Sequence, residues 1–121
     1  MKKILVVDDE PNVRSLVVET LNFLNKYEIF SASNGKEALN LIKEKSPDLV
    51  ILDVMLPDID GYTICSHIKE NPNLNTLVLF LTARSSEIDQ RVGYGMGADD
   101  YLPKPFTLKD LIEKVQNLLG E

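Results

Sequence analysis

Leu49-Val50-Ile51-Leu52 is an unbroken run of four large apolar residues, and it stops on a carboxylate, Asp53. A strand with one wet face alternates apolar and polar side chains, so a run without alternation reads as a strand covered on both faces. Two other segments have the same form. Lys3-Ile4-Leu5-Val6-Val7 runs straight into Asp8, Asp9 and Glu10, and Leu77-Val78-Leu79-Phe80-Leu81 ends on Thr82. Aspartate is rarely buried without a partner. A carboxylate at the exit of a fully buried strand therefore directs attention to whatever surrounds it.

Helical periodicity fills the gaps between the runs. Pro11 suits a first helical turn, and Val13, Leu16, Val17, Leu21 and Leu24 follow at helical spacing. Tyr27–Ser33 predicts a short strand. Asn34-Gly35-Lys36-Glu37 has the form of a capping box ahead of Ala38, Leu41 and Ile42, and Ser46-Pro47 ends that helix. Pro57 and Gly61 force a loop after Asp53, and Asp60 can cap a third helix with Ile64, Cys65 and Ile68 inward, ending near Asn71-Pro72. Ser85 or Ser86 caps a fourth through Ile88, Val92 and Met96, which Gly97 terminates. Asp100-Tyr101-Leu102 is a brief last strand before Pro103-Lys104-Pro105. Thr107 caps a final helix carrying Leu111, Ile112, Val115, Leu118 and Leu119.

Five strands alternating with five helices predict an α/β fold, a doubly wound five-stranded parallel sheet with helices on both faces, because each crossover must be right-handed and helical. Ligands of such sheets bind beyond the carboxyl ends of the strands. Asp8 and Asp9, Asp53, Thr82 and Lys104 all fall on that edge. With 121 residues and no linker or repeat, the expectation is one domain spanning 1–121. No apolar run approaches the ~20 residues of a membrane span. The net charge of -6 argues against direct nucleic-acid binding by this domain. A lone Cys65 fits a cytoplasmic protein and, with Ile64 and Ile68 as its expected neighbours, reads as core.

Converging carboxylates repel one another unless a hard divalent cation joins them, and Mg²⁺ takes one or two carboxylates plus waters and a phosphate. Thr82 adds a hydroxyl and Lys104 a point charge that suits a phosphoryl group. Nucleophilic carboxylate, metal, hydroxyl and ammonium together can transfer a phosphoryl group to aspartate. Each residue alone has a plainer role: Asp8-Asp9 as a helix cap, Asp53 as a turn residue, Thr82 as a strand end, Lys104 as a loop lysine. The weight lies in the set.

Those residues bring the chain to a family. ILVVDDEP (4–11), PDLVILDVMLPDIDGY (47–62), LFLTAR (79–84) and GADDYLPKPF (97–106) resemble the receiver domain of two-component response regulators along essentially the whole chain. The resemblance implies a flavodoxin-like (βα)5 fold with strand order 2-1-3-4-5. It implies that Asp53 is the phosphoacceptor, taking its phosphoryl group from a sensor histidine kinase or phosphotransfer protein. Asp8, Asp9, Asp53 and the Met55 backbone carbonyl would be Mg²⁺ ligands, and Thr82 and Lys104 the pair contacting the phosphoryl group. Tyr101 matches the switch aromatic that turns inward as Thr82 moves toward the phosphoryl group. Lys104-Pro105 is similar to a peptide that is cis in the family, and Met55 and Arg84 occupy places that tune dephosphorylation. The fourth helix, last strand and fifth helix would address a downstream protein or output domain. Arg91, Asp100, Asp110 and Lys114 resemble charges that pair across a phosphorylation-dependent homodimer in the winged-helix transcription-factor branch; a solvated face is the other reading.

Rival chemistries find little support. Gly35-Lys36 lacks the spacing of a phosphate loop, and Gly93, Gly95 and Gly97 follow a helix rather than a strand. Three acidic residues after the first strand would repel a flavin phosphate. A conventional enzyme such as an aspartyl phosphatase would carry its nucleophile on the first strand. His67, the only histidine, is expected on the outer face of the third helix. The chain would instead catalyse its own aspartyl phosphorylation and dephosphorylation. The remaining alternative is a receiver-fold interaction module regulated without phosphorylation.

Overall fold

The structure, a computed structural model, describes residues 1–121. Strands and helices alternate throughout: β1 (Lys2–Val7), α1 (Pro11–Phe23), β2 (Tyr27–Ala32), α2 (Gly35–Lys45), β3 (Leu49–Leu52), α3 (Gly61–Glu70), β4 (Leu77–Thr82), α4 (Glu87–Gly95), β5 (Asp100–Pro103) and α5 (Leu108–Leu119). The five strands form one parallel sheet in the order β2-β1-β3-β4-β5. Order and strand directions agree with the sequence reading.

The unbroken apolar runs explain the two cores. Successive side chains on a strand point to opposite faces. Leu5, Val7, Val50, Leu52, Val78 and Phe80 meet Ala38 and Ile42 of α2 and Ile64, Cys65 and Ile68 of α3. Their strand neighbours Ile4, Val6, Leu49, Ile51, Leu79 and Leu81 meet Val17 and Leu21 of α1 and Leu111, Val115 and Leu119 of α5. Each run is continuous because both of its faces are covered.

Side-chain caps set the starts of α2 to α5. Asn34 Oδ1 accepts from Glu37 N at 2.8 Å, Asp60 Oδ1 from Thr63 N at 3.0 Å and Thr107 Oγ1 from Asp110 N at 3.1 Å. Of the two serines ahead of α4, Ser86 is the cap, in a reciprocal box with Asp89. α4 itself departs from the pattern: Gly93 is its one buried residue, while Ile88, Val92 and Met96 are exposed. Helical spacing describes which residues share a face but not what covers that face.

Register positions the functional edge. β1 and β3 pair Val7 with Leu52, so the next residue on each strand, Asp8 and Asp53, emerges at the same level on adjacent strands. Leu52 pairs in turn with Phe80, two residues before Thr82, and Thr82 pairs with Pro103, the residue before Lys104. The Lys104–Pro105 peptide is cis, as the resemblance implied.

Candidate functional site

Asp8 and Asp53 are among four buried polar residues in a molecule otherwise built on apolar cores, and their side chains are almost fully enclosed. Backbone bonds fix both: Asp8 N donates to Ala32 O at 3.2 Å and Asp53 N to Val7 O at 3.1 Å. Lys104 supplies the countercharge. Its Nζ donates to Asp8 Oδ2 at 2.9 Å, Asp53 Oδ2 at 2.9 Å and Glu10 Oε1 at 3.2 Å. Charge-assisted bonds of this length are the strong kind. Asp8 Oδ1 also accepts from Glu10 N at 3.0 Å, and Asp53 Oδ1 from Met55 N at 3.1 Å.

The balance of these forces shows in the protonation equilibria. Burial pushes the Asp8 carboxyl above its ordinary value, against the hydrogen bonds from Lys104 and Glu10 that pull it down. Lys104 moves upward: burial works to lower it, but the bonds to Asp8 and Asp53 prevail and hold the ammonium charged. One ammonium faces three carboxylates, so the pocket keeps a surplus of negative charge.

Oxygen atoms of Asp8, Glu10 and Asp53 lie within 4.8 Å of one another. Hard oxygen donors and uncompensated charge, with Glu10 exposed to solvent, fit a divalent cation. Asp9 is exposed and stands outside this group of three. Glu10 is the residue that reasoning from sequence left without a role. It sits in the same acidic run, but a run of adjacent carboxylates does not reveal which of them turns toward the pocket.

Thr82 ends β4 with its side chain completely enclosed; Oγ1 accepts from Arg84 N at 3.1 Å, and its carbonyl accepts from Lys104 N at 3.0 Å. Tyr101 is buried as well, its hydroxyl donating to Arg84 O at 2.7 Å. The loop after Asp53 is held at both ends. Gly61 N donates to Val54 O at 2.7 Å. The Asp58 carboxylate accepts from Gly35 N at 2.7 Å, Lys36 N at 2.9 Å and Ile59 N at 2.9 Å, which ties the loop to the start of α2.

Comparison with known proteins agrees with the fold. The profile of the response regulator receiver domain matches residues 4–116. The chain belongs to that family. It is 41% identical over 118 residues to the alkaline phosphatase synthesis transcriptional regulatory protein PhoP of Bacillus subtilis, covering 98% of this chain and 48% of PhoP. DrrB of Thermotoga maritima, described as an OmpR/PhoB homologue, superposes with a TM-score of 0.89 at 40% identity, over 99% of this chain and 53% of DrrB. The BeF3-activated DrrB receiver domain superposes with a TM-score of 0.90 at 40% identity, over 100% of this chain and 99% of that one. The chain thus spans about half the length of the curated relatives it matches.

The remaining charged positions of this receiver domain are paired within the chain or free. Lys114 Nζ lies 3.0 and 3.2 Å from the two Asp100 oxygens, and Arg91 pairs with Glu87 one helical turn away at 2.8 Å. Asp110 is exposed, and its backbone N–H closes the Thr107 cap. His67 is exposed on α3. Cys65 is fully enclosed, and burial pushes its thiol up to about 11, in keeping with a structural rather than a nucleophilic cysteine. No helix is long and apolar enough to cross a membrane.

Proposed function

We propose that this receiver domain is a phosphorylation-controlled switch whose acceptor is Asp53. A single observation carries the reading: the Lys104 ammonium bridges two buried carboxylates, Asp8 and Asp53, at the point where the strand order reverses. An Asp53 oxygen attacks the phosphorus of a phosphohistidine on a sensor kinase or phosphotransfer protein, or of a small phosphodonor. The new P–O bond forms as the bond to the donor breaks, and the donor leaves with the displaced electron pair. Lys104 then follows the negative charge onto the phosphoryl oxygens, and Thr82 turns its hydroxyl from Arg84 N toward them. Asp8, Asp9, Asp53 and the Met55 carbonyl would hold Mg²⁺, with Glu10 as a further carboxylate in reach of the same space. When bound, the metal supplies neutralisation of the charge that builds up between donor and acceptor. Positioning and neutralisation suffice for such a transfer, so no separate base is invoked.

Tyr101 is the readout, buried against β4 with its hydroxyl on Arg84 O. The phosphoryl group can shift the balance between inward and outward states only by its difference in contacts, and an almost complete flip takes about 5.5 kcal/mol. The α4–β5–α5 surface would pass the change to a downstream protein or output domain. The names of relatives such as PhoP, a transcriptional regulatory protein, favour a transcriptional output. The compartment we assign is the cytoplasm.

Incubation with acetyl phosphate and Mg²⁺, followed by intact-mass measurement, tests the proposal. One added phosphoryl group, labile to hydroxylamine and missing from Asp53→Asn, is expected. An unchanged mass would sink it.

A further inference from the structure

α4 carries two glycines, Gly93 and Gly95, at ordinary helical positions where backbone geometry does not ask for glycine. A glycine inside a helix costs about 1 kcal/mol relative to alanine. Space explains one of them. A Cβ built on Gly93 would lie 2.6 Å from Tyr101 Cε2, 3.3 Å from Cδ2 and 3.4 Å from Phe80 Cδ2; one built on Gly95 meets nothing within 4 Å.

The ring that fills this space is held on every side. Phe80 lies 5.4 Å from the Tyr101 ring centroid and Tyr94 6.1 Å, while Tyr62 stacks edge-on against Phe80 at 5.5 Å. Above the rings, Tyr101 donates to Arg84 O. The Tyr62 hydroxyl donates to Asp89 O at 3.1 Å and stands 3.4 Å from that of Tyr101. Phe80 Cδ2 stands at ordinary contact distance from the new methyl group, so it is the Tyr101 ring that has to move. It can do so by swinging out.

We infer that Gly93 is a positioning residue of the switch: its missing side chain is the seat that admits Tyr101 to its inward place. This deepens the reading of Tyr101 proposed above and rests on it. Gly93→Ala would favour the outward ring, while the helix itself gains propensity. A purely structural role predicts the opposite pattern, a stability change with no effect on the ring.

The test uses the full chain carrying 3-fluorotyrosine, with the Tyr101 resonance assigned through Tyr101→Phe. Three properties are measured for Gly93→Ala and Gly95→Ala: thermal stability, the fluorine shift of Tyr101, and the beryllofluoride concentration that half-saturates the protein at fixed Mg²⁺. Gly95→Ala should raise stability and leave the other two unchanged. Gly93→Ala should move the Tyr101 signal to the position of an exposed ring and raise half-saturation about tenfold. Tyr101→Ala added to Gly93→Ala should bring half-saturation to that of Tyr101→Ala alone. If Gly93→Ala does not fold, recovery of folding on adding Tyr101→Ala supports the clash, and failure to recover overturns it. An unmoved Tyr101 signal in a folded Gly93→Ala protein also overturns the inference. Should Tyr101→Ala itself bind beryllofluoride as the parent does, the switch reading falls, while the fluorine shift still decides whether Gly93 seats the ring.

Discussion

Asp8 shows how a residue proposed to hold the metal can oppose folding. Its carboxyl is raised in the folded protein by burial. A raised group contributes its stability below the unfolded value, near 3.8, and that contribution is lost as pH rises through the folded value. At neutral pH the charged carboxylate is therefore a cost that the fold carries. Asp8→Asn keeps the size and an oxygen for Glu10 N, and Lys104 keeps Asp53 and Glu10 as partners. In metal-free buffer at pH 7 the variant should be more stable by about 1 kcal/mol, as is common when a strained site is relaxed. The gain should vanish toward pH 3.8, and denaturant midpoints across that range would show it. Lys104→Ala should act in the other direction. It leaves Asp8 and Asp53 buried together without a countercharge, which costs about 3–5 kcal/mol by analogy with broken buried pairs. Calorimetry of the two variants side by side separates the effects.

At the scale of elements, the segment joining β3 to α3 shows what the chain order does and does not reveal. The strands were legible because uninterrupted apolar runs have few other uses, and the caps because Asn34, Asp60 and Thr107 each stand just ahead of a helical stripe. The convergence of Asp8, Asp53 and Lys104 followed from all three lying at strand ends. The inward turn of Glu10 did not follow, nor did the grip of Asp58 on α2, because both depend on side-chain direction across the fold. The solvent-facing apolar stripe of α4 was hidden for a related reason: periodicity fixes a face but not its cover. Two variants probe this segment. A Cβ at Gly61 would sit 2.3 Å from Asp53 O and 2.8 Å from Val54 Cα, both backbone atoms unable to yield cheaply. Gly61→Ala should therefore lose roughly 1–3 kcal/mol in urea unfolding. Hydrogen bonds from Gly35 N and Lys36 N hold the Asp58 carboxyl below its ordinary value, so its tie persists above pH 3.8 and is lost as pH falls through the lowered value. Asp58→Asn should speed amide exchange at Gly35 and Lys36 at neutral pH while leaving amides within β1 slow.

For the molecule as a whole, the question is what the α4–β5–α5 face does with its unpaired surface. Ile88 and Val92 on α4, with Met96 just past its end, leave an apolar strip exposed. The charges beside it are already engaged, Lys114 with Asp100 and Arg91 with Glu87. Pairing those groups across a dimer would exchange one partner for another, and exposed pairs are worth at most about 1 kcal/mol each. In the phosphorylation-dependent dimer that the family resemblance implies, the affinity would therefore come from the strip, with the charges setting orientation. Sedimentation equilibrium with Mg²⁺ and beryllofluoride should show a doubled mass that reverts to monomer when the mimic is removed. Val92→Asp places a charge in the strip and should abolish the dimer. Lys114→Ala, which removes only an exchanged pair, should weaken it by about fivefold at most. A Lys114→Ala effect as large as that of Val92→Asp would mean that the charges carry the interface, and a single mass under all conditions would remove the dimer from the account.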